Sequence, residues 1–294
     1  MTSSPRVTVF GSLHYDIAVF GPARPRKGET VTGSAWHPKS GGKGGNQAVS
    51  AAKTGIATSM IGAVAQDEFG HFLLDNLARK GVDHRFVART AQRSTGMSVA
   101  IFDDEGDYGA VIVSGSNLEL SDTHLDAASE ILAETSILVL QNEVPDAANV
   151  AAARRAKAAG ALVLLNAAPA RTLSDALKTL VDILVVNAIE AEMLAGVDVV
   201  ETLDGALSAA RILKAGYPQV VVTAGGAGVA AVDKDGHEIT IEPVKVSVES
   251  THGAGDEFIG MLAAQTARGA TLEVALAEAN KAAAKLVATP EAER

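Results

Sequence analysis

Four short runs, Ile137-Leu138-Val139-Leu140, Leu162-Val163-Leu164-Leu165, Ile183-Leu184-Val185-Val186 and Val220-Val221-Val222, decide how this chain is read. Each is continuously apolar rather than alternating, the pattern of a strand covered on both faces. Between and around them lie segments with helical character: Pro145 to Ala159, Leu173 to Leu180, Ala188 to Ala195 and Gly205 to Ala215. Strands and helices in alternation make right-handed βαβ units. The expected fold is therefore α/β, three layers with a central, mostly parallel sheet flanked by helices.

Toward the N-terminus the pattern changes. Thr30 to Trp36 and Ser98 to Ser114 alternate and are punctuated by turns, Asp103-Asp104-Glu105-Gly106-Asp107 among them. These stretches predict a small antiparallel sheet inserted into the main body. The Ala-rich segments at 147–159 and 275–288 are explained by helix propensity. With neither a Pro/Ser/Gly linker nor a fixed-period repeat, residues 1–294 read as one domain carrying a β appendage.

Composition removes several function classes. The formal net charge is −10 and Lys/Arg clusters do not exceed a pair, which argues against a nucleic-acid partner. Without cysteine there is no disulfide framework, thiolate zinc site or thiol nucleophile. Met1 to Arg6 leads directly into a strand-like run without the features of a signal peptide. Apolar runs stop after a few residues, far short of a membrane span. The expectation is a soluble cytoplasmic protein with no membrane or nucleic-acid partner.

Polar residues collect where the strands end: Gln141-Asn142-Glu143, Asn166, Asn187 with Glu190, and Thr223 with Gly225-Gly226. In open α/β sheets ligands bind beyond the carboxyl ends of strands. Asn and Gly are also ordinary loop residues, so each position alone is compatible with a plain turn.

Two glycine-rich stretches carry more. Gly41-Gly42-Lys43-Gly44-Gly45-Asn46 opens a helix read from Gln47 to Lys53, with Gly55 at its C′ position. Glycines admit a ligand to the backbone, helix-start amides favour an anion, and Lys43 adds positive charge. The spacing matches neither a Walker loop nor a dinucleotide fingerprint. The second stretch, Thr251-His252-Gly253-Ala254-Gly255-Asp256, precedes the apolar helix through Met261-Leu262-Ala263-Ala264. Consecutive Gly-Ala-Gly amides at a helix start can form an anion hole. An acidic residue in a first helical turn is ordinary dipole chemistry. Beside such a hole, however, Asp256 could also take the proton from a hydroxyl attacking a γ-phosphorus. The histidines lack His-Glu-x-x-His spacing, so no zinc site is expected. Ser12 and Ser94 stand in no nucleophile elbow, and Gly226-Ala227-Gly228 is too short for a dinucleotide site.

Gly41 to Lys53 and Thr251 to Leu262 resemble the two signature segments of the ribokinase-type (PfkB) carbohydrate kinase family. The likeness runs through nearly the whole chain, including Leu165 to Arg171, Asn187-Ala188-Ile189-Glu190 and Thr223-Ala224-Gly225-Gly226, and lies on the ribokinase branch. The resemblance implies ATP-dependent transfer of the γ-phosphoryl group to a hydroxymethyl group of a pentose or related sugar. It implies Asp256 as base and Gly253, Ala254 and Gly255 as anion hole. Asp16, Gly42, Lys43, Asn46 and Glu143 match sugar-side positions, and His14 occupies another. Asn187 and Glu190 match the element orienting the ATP phosphates, with Mg2+ held near Glu190 through water. Thr223, Gly225 and Gly228 match a nucleotide-side loop, and Asn280 a residue near the adenosine.

The resemblance further implies a β lid, drawn from about 12–40 and 96–115, that closes over the sugar and pairs two subunits into a homodimer. Three departures stand out. His14 replaces a sugar-binding Asn, which leaves the sugar's identity open. Ser250, beside His252, replaces an Asp that often helps hold a monovalent cation, and this puts K+ activation in question. The chain also ends at Arg294, short of the C-terminal loop that usually completes that cation site. A nucleoside kinase on the same fold, and a sugar or nucleotide sensor without turnover, are the alternative readings.

Overall fold

The computed structural model describes residues 4–290 and 293, apart from 104, 106, 107 and 199. Most of the turn predicted at 103–107, and the chain end at Arg294, thus lie outside the described residues. In chain order the strands are β1 (Arg6–Phe10), β2 (His14–Phe20), β3 (Ala35–Gly41), β4 (Ala57–Ala65), β5 (Asp83–Thr90), β6 (Met97–Phe102) and β7 (Tyr108–Val113). They continue with β8 (Ile137–Gln141), β9 (Leu162–Asn166), β10 (Ile183–Asn187), β11 (Gln219–Thr223), β12 (Val229–Val232) and β13 (Glu238–Ile241). The helices are α1 (Lys43–Lys53), α2 (Glu68–Arg79), α3 (Asp122–Ala127), α4 (Ser129–Ala133) and α5 (Asp146–Ala158). The remainder are α6 (Asp175–Lys178), α7 (Ala188–Ala195), α8 (Leu203–Leu213), α9 (Ala254–Ala267) and α10 (Leu272–Val287).

The continuous apolar runs become the middle of a nine-stranded sheet, ordered β13-β12-β11-β10-β9-β8-β1-β4-β5. Pairing is parallel from β5 through to β11 and antiparallel only at β12 and β13. Both faces are covered, which explains why these strands show no polar alternation. Within β8, Leu138 and Leu140 join a core shared with Ala152 of α5 and Leu177 of α6. Ile137 and Val139 join the opposite core, with Ala48 of α1, Leu73 of α2, Leu262 of α9 and Leu276 of α10. Helices α3 to α8 thus cover one face, and α1, α2, α9 and α10 the other.

Local signals account for several boundaries. Thr202 caps α8 by accepting from Gly205 N (3.0 Å), so the helix starts at Leu203. The helical stretch expected over Leu173 to Leu180 shrinks to the single turn of α6, begun by Ser174 accepting from Leu177 N (3.2 Å).

The second sheet has four strands, ordered β3-β2-β6-β7. It differs from the antiparallel sheet expected. The outer pairs are antiparallel, but the central pair, β2 and β6, is parallel. No hairpin joins these two strands; the intervening chain runs through β3, α1, β4, α2 and β5, long enough for a parallel return. Thr30 to Ser34 is not strand, and the pairing begins at Ala35.

Connectivity also fixes where a crevice opens. From β1 the main sheet grows one way through β4 and β5, then resumes on the other side of β1 with β8. The connections leaving β1 and β8 therefore diverge, and such a switch point is where open α/β sheets bind ligands.

Candidate active site

Helix α1 reaches the switch point by unusually close packing. It starts at Lys43 rather than at Gln47, with Gly42 as N-cap at φ 82°. A Cβ on Gly44 would lie 2.7 Å from Ser12 N and 2.8 Å from Gly11 C. The glycines therefore serve more than a turn: they let the first turn of α1 sit directly on the chain leaving β1. Gly45 N donates to Ser12 O (2.9 Å), and Gly44 N to Ser12 Oγ (3.3 Å).

Helix α9 meets the same place from the other side. Gly253 is its N-cap in the left-handed region (φ 80°), and Asp256 lies in its first turn. The Asp256 carboxylate accepts two hydrogen bonds from α1: Oδ2 from Asn46 Nδ2 (3.0 Å) and Oδ1 from Gln47 Nε2 (2.9 Å). Burial pushes this carboxyl above its ordinary range, against the pull of the Lys43 ammonium and of those two bonds. A cavity of about 200 Å3 adjoins it, bordered by Lys39, Asn46, Lys53, His252, Gly253 and Asp256.

The remaining sugar-side candidates gather around β1, β2 and β8. Glu143 Oε2 accepts from Ser12 Oγ (2.5 Å) and from Lys43 N (2.9 Å) and lies 3.9 Å from His14 Nδ1. Asp16 Oδ1 accepts from Ser98 Oγ (2.6 Å). Its other oxygen fills space left by Gly41, where a Cβ would come within 1.8 Å. Burial also raises the Asp16 carboxyl, offset by the Ser98 bond and by His14 and His252. His14 itself is 3% exposed, and a Cβ on Gly96 would lie 2.6 Å from its Cδ2. His14, Asp16, Gly42, Lys43, Asn46, Glu143 and Asp256 thus form one neighbourhood.

The other candidates form a second group along β10 to β13. Asn187 and Glu190 make a capping box at the start of α7: Glu190 N donates to Asn187 Oδ1 and Asn187 N to Glu190 Oε2, both at 2.9 Å. Glu190 is buried, which raises its carboxyl against the pull of the Asn187 amide and of Lys43. Lys43 thereby acts electrostatically on both groups. Thr223 is the register partner of Asn187 across β10 and β11. Gly225 begins the turn after β11, and Gly228 (φ 108°) sits where a Cβ would meet Ile241 O at 2.3 Å. Asn280 of α10 donates to Glu242 O (2.9 Å) just past β13. Glu190, a buried carboxylate with one oxygen committed to the cap, fits a magnesium ion held mainly by water and phosphate oxygens. Beside α9, Ser250 Oγ accepts from His252 N (3.3 Å), while Glu249 N and Ser250 N share Val287 O. Ser250 brings a neutral hydroxyl, not a carboxylate, to that loop.

Ser12, Gln47, Gln141 and Ser98 also hold the site together; of these the sequence points only to Gln141, as one of the polar residues at a strand end. The sequence offers Ser12 only as a serine without a nucleophile elbow, and its link to Glu143 spans 131 positions. Such contacts leave no local pattern to read.

Residues 4–294 match the pfkB family of carbohydrate kinases. The chain is 34% identical over 254 residues to a ribokinase of Haemophilus influenzae, covering 86% of this chain and 83% of that protein. It is 32% identical to a deoxyribokinase of Salmonella typhi, covering 93% and 89% respectively. Among solved structures, Arabidopsis thaliana ribokinase complexed with ribose and ATP superposes with a TM-score of 0.91 at 30% identity, over 97% of this chain and 93% of that one.

Proposed function

Since this chain belongs to the pfkB carbohydrate kinase family and is an ATP-dependent sugar kinase, we propose that it phosphorylates a hydroxymethyl group of a pentose or related sugar, with Asp256 as general base. The observation that carries this reading is the convergence of two glycine-rich helix starts on one carboxylate. Asn46 and Gln47 from α1 hold Asp256 from α9. An acceptor-only carboxylate beside amides that favour an anion has the parts phosphoryl transfer needs: position, charge stabilisation and a proton acceptor. The sugar lies against His14, Asp16, Gly42, Lys43, Asn46 and Glu143. Its reacting hydroxyl faces Asp256, and Gly253, Ala254 and Gly255 line the hole for developing charge. ATP lies along Asn187, Thr223, Gly225, Gly228 and Asn280. Magnesium, held through water by Glu190, would neutralise phosphate charge.

The test is coupled ADP release over pentoses, deoxypentoses, hexoses, nucleosides and sugar alcohols. Turnover confined to sugars with a free hydroxymethyl group is expected; preference for a nucleoside would overturn the substrate assignment. Because Ser250 supplies no carboxylate, exchanging potassium for a large organic cation is expected to change the rate by less than about twofold. A large potassium requirement would show that other oxygens complete the cation site.

We propose further that the four-stranded sheet is a lid that pairs two copies of the chain. Its edge strands are β3 and β7, and Trp36, Val111 and Ile112 on them are 61%, 69% and 59% exposed. Exposed apolar groups of this size on a sheet edge call for a covering partner. Sedimentation is expected to show a dimer that Val111→Asp converts to monomer; a parent protein monomeric at micromolar concentration would refute the pairing. Among the described residues, no helix is long and apolar enough to cross a membrane.

A further inference from the structure

We infer that Gln47 and Gln141 form a buried positioning relay that keeps Asp256 ionised and aimed at the acceptor hydroxyl; this deepens the assignment of Asp256 as base and rests on it. Both glutamines are 0% exposed. Gln47 Nε2 donates to Asp256 Oδ1 (2.9 Å), and Gln47 Oε1 accepts from Gln141 Nε2 (2.9 Å). Gln141 stands at the end of β8, where its own carbonyl accepts from Asn149 Nδ2 (2.7 Å).

The polarity of this chain follows from chemistry. A carboxylate only accepts, so Gln47 must present its NH2 group to Asp256. Its carbonyl oxygen is then turned toward Gln141, which must answer with its own NH2 group. The consequence appears at the far end, where Gln141 Oε1 is buried without a hydrogen-bond partner. Leaving an acceptor unpaired in the interior is unfavourable. Gly11 is what admits that oxygen, since a Cβ there would lie 1.8 Å from it. If the amides only filled space, apolar side chains of similar volume would do so without stranding a polar atom. The arrangement instead places a donor on the base and fixes it from behind, which favours the ionised form. It also leaves Asp256 unable to rotate without breaking bonds to both Asn46 and Gln47.

The charged groups acting on Asp256 most directly are Lys43 of α1 and Glu143 after β8. Around the adjoining cavity stand Lys39 of β3, Lys80 after α2, the Lys53–Glu257 pair between α1 and α9, and His252. All are retained in the test variants, so a change in titration reports the amides.

The test follows the Asp256 carboxyl by carbon-13 NMR in protein labelled at aspartate Cγ, with Asp256→Asn supplying the assignment. Gln47→Met and Gln141→Met are compared with the parent, and ATP turnover is measured with D-ribose and 2-deoxy-D-ribose. In Gln47→Met, Asp256 is expected to titrate about one pH unit higher, because a bond to the charged form is lost. Where a sugar is turned over, kcat should fall about 10- to 100-fold, more than KM changes, with its acid limb moved the same way. Gln141→Met is expected to shift both in the same direction by less, without lowering the melting temperature, since it also removes the stranded oxygen. A merely structural role predicts lower stability and an unmoved titration. Unshifted Asp256 titration in folded Gln47→Met overturns the relay; should that variant fail to fold, the titration in Gln141→Met decides. Full turnover in Asp256→Asn would instead remove the base assignment itself.

Discussion

With Asp256 replaced by Asn, phosphoryl transfer is expected to fall by about 10²–10⁴-fold, the usual worth of a positioned general base, while the protein melts no lower than its parent at pH 7. The two halves of this expectation have one cause. Burial raises the Asp256 carboxyl above its ordinary value of 3.8, so at neutral pH the fold carries a carboxylate it would hold more easily protonated. For an acid raised on folding, the favourable contribution is present below the unfolded value and is lost as pH climbs through the folded one. The neutral amide escapes that loss, so the variant's relative stability should be greatest near pH 7 and vanish toward pH 3.

Hydrogen bonding can be kept in that variant as well. The introduced amide can present its oxygen to Gln47, whose orientation Gln141 fixes, and its NH2 group to an Asn46 amide turned over to accept. ADP release and calorimetry across pH check both parts. Turnover within a few-fold of the parent would remove Asp256 from the chemistry. A large fall in melting temperature at pH 7 would show that the carboxylate is there to hold the helices together.

The second large effect is expected at Gly260, one turn beyond Asp256 in α9. Helices α1 and α9 cross so closely that a Cβ on Gly260 would lie 2.4 Å from Ser50 Cβ and 2.6 Å from Gln47 O. Gly260→Ala must therefore push α9 away from α1, and overpacking of this kind costs about 1–3 kcal/mol. Activity should suffer beyond that. The same two helices carry Asp256, the proposed base, and its holders, and a displacement on the order of 1 Å at a reacting group can cost about 10²-fold. Ser50 Oγ also donates to Glu257 O (2.8 Å), so the crossing is tied next to Asp256. Adding Ser50→Gly removes the side-chain clash but not that with the Gln47 carbonyl, and should restore stability only in part. Chemical denaturation and sugar-dependent ADP release measure the two effects. A Gly260→Ala protein with parental stability and turnover would show that the crossing is looser than its geometry implies.

Much of this architecture was legible in the chain. The run Ile183 to Val186 followed by Ala188 to Ala195 predicts strand and helix, and both form there because the apolar run and the Asn187–Glu190 cap are local signals. Asp256 was likewise legible, since a glycine-rich helix start is contiguous in sequence. The length of α6 was not, because Leu173 joins the core from the chain before the helix and only Leu177 from the helix itself. The parallel pairing of β2 with β6 was also hidden, as strand direction follows from the crossover between them and not from either strand's residues.

The sequence by itself determined the layered α/β architecture, the two glycine-rich helix starts and the carboxylate at one of them, because periodicity, caps and turn chemistry act over a few residues. Only the tertiary structure decided that Asn46 and Gln47 hold Asp256, separated from it by 210 and 209 positions. It also decided that Glu143 anchors Ser12 and the Lys43 amide, and that Gln141 backs Gln47. The first pair joins two helices, α1 and α9, and the others join α1 and the chain leaving β1 to the end of β8, a strand that becomes the neighbour of β1 only because the order of strand addition switches sides there. A side chain that acts through a distant partner leaves its mark in distances, not in spacing along the chain.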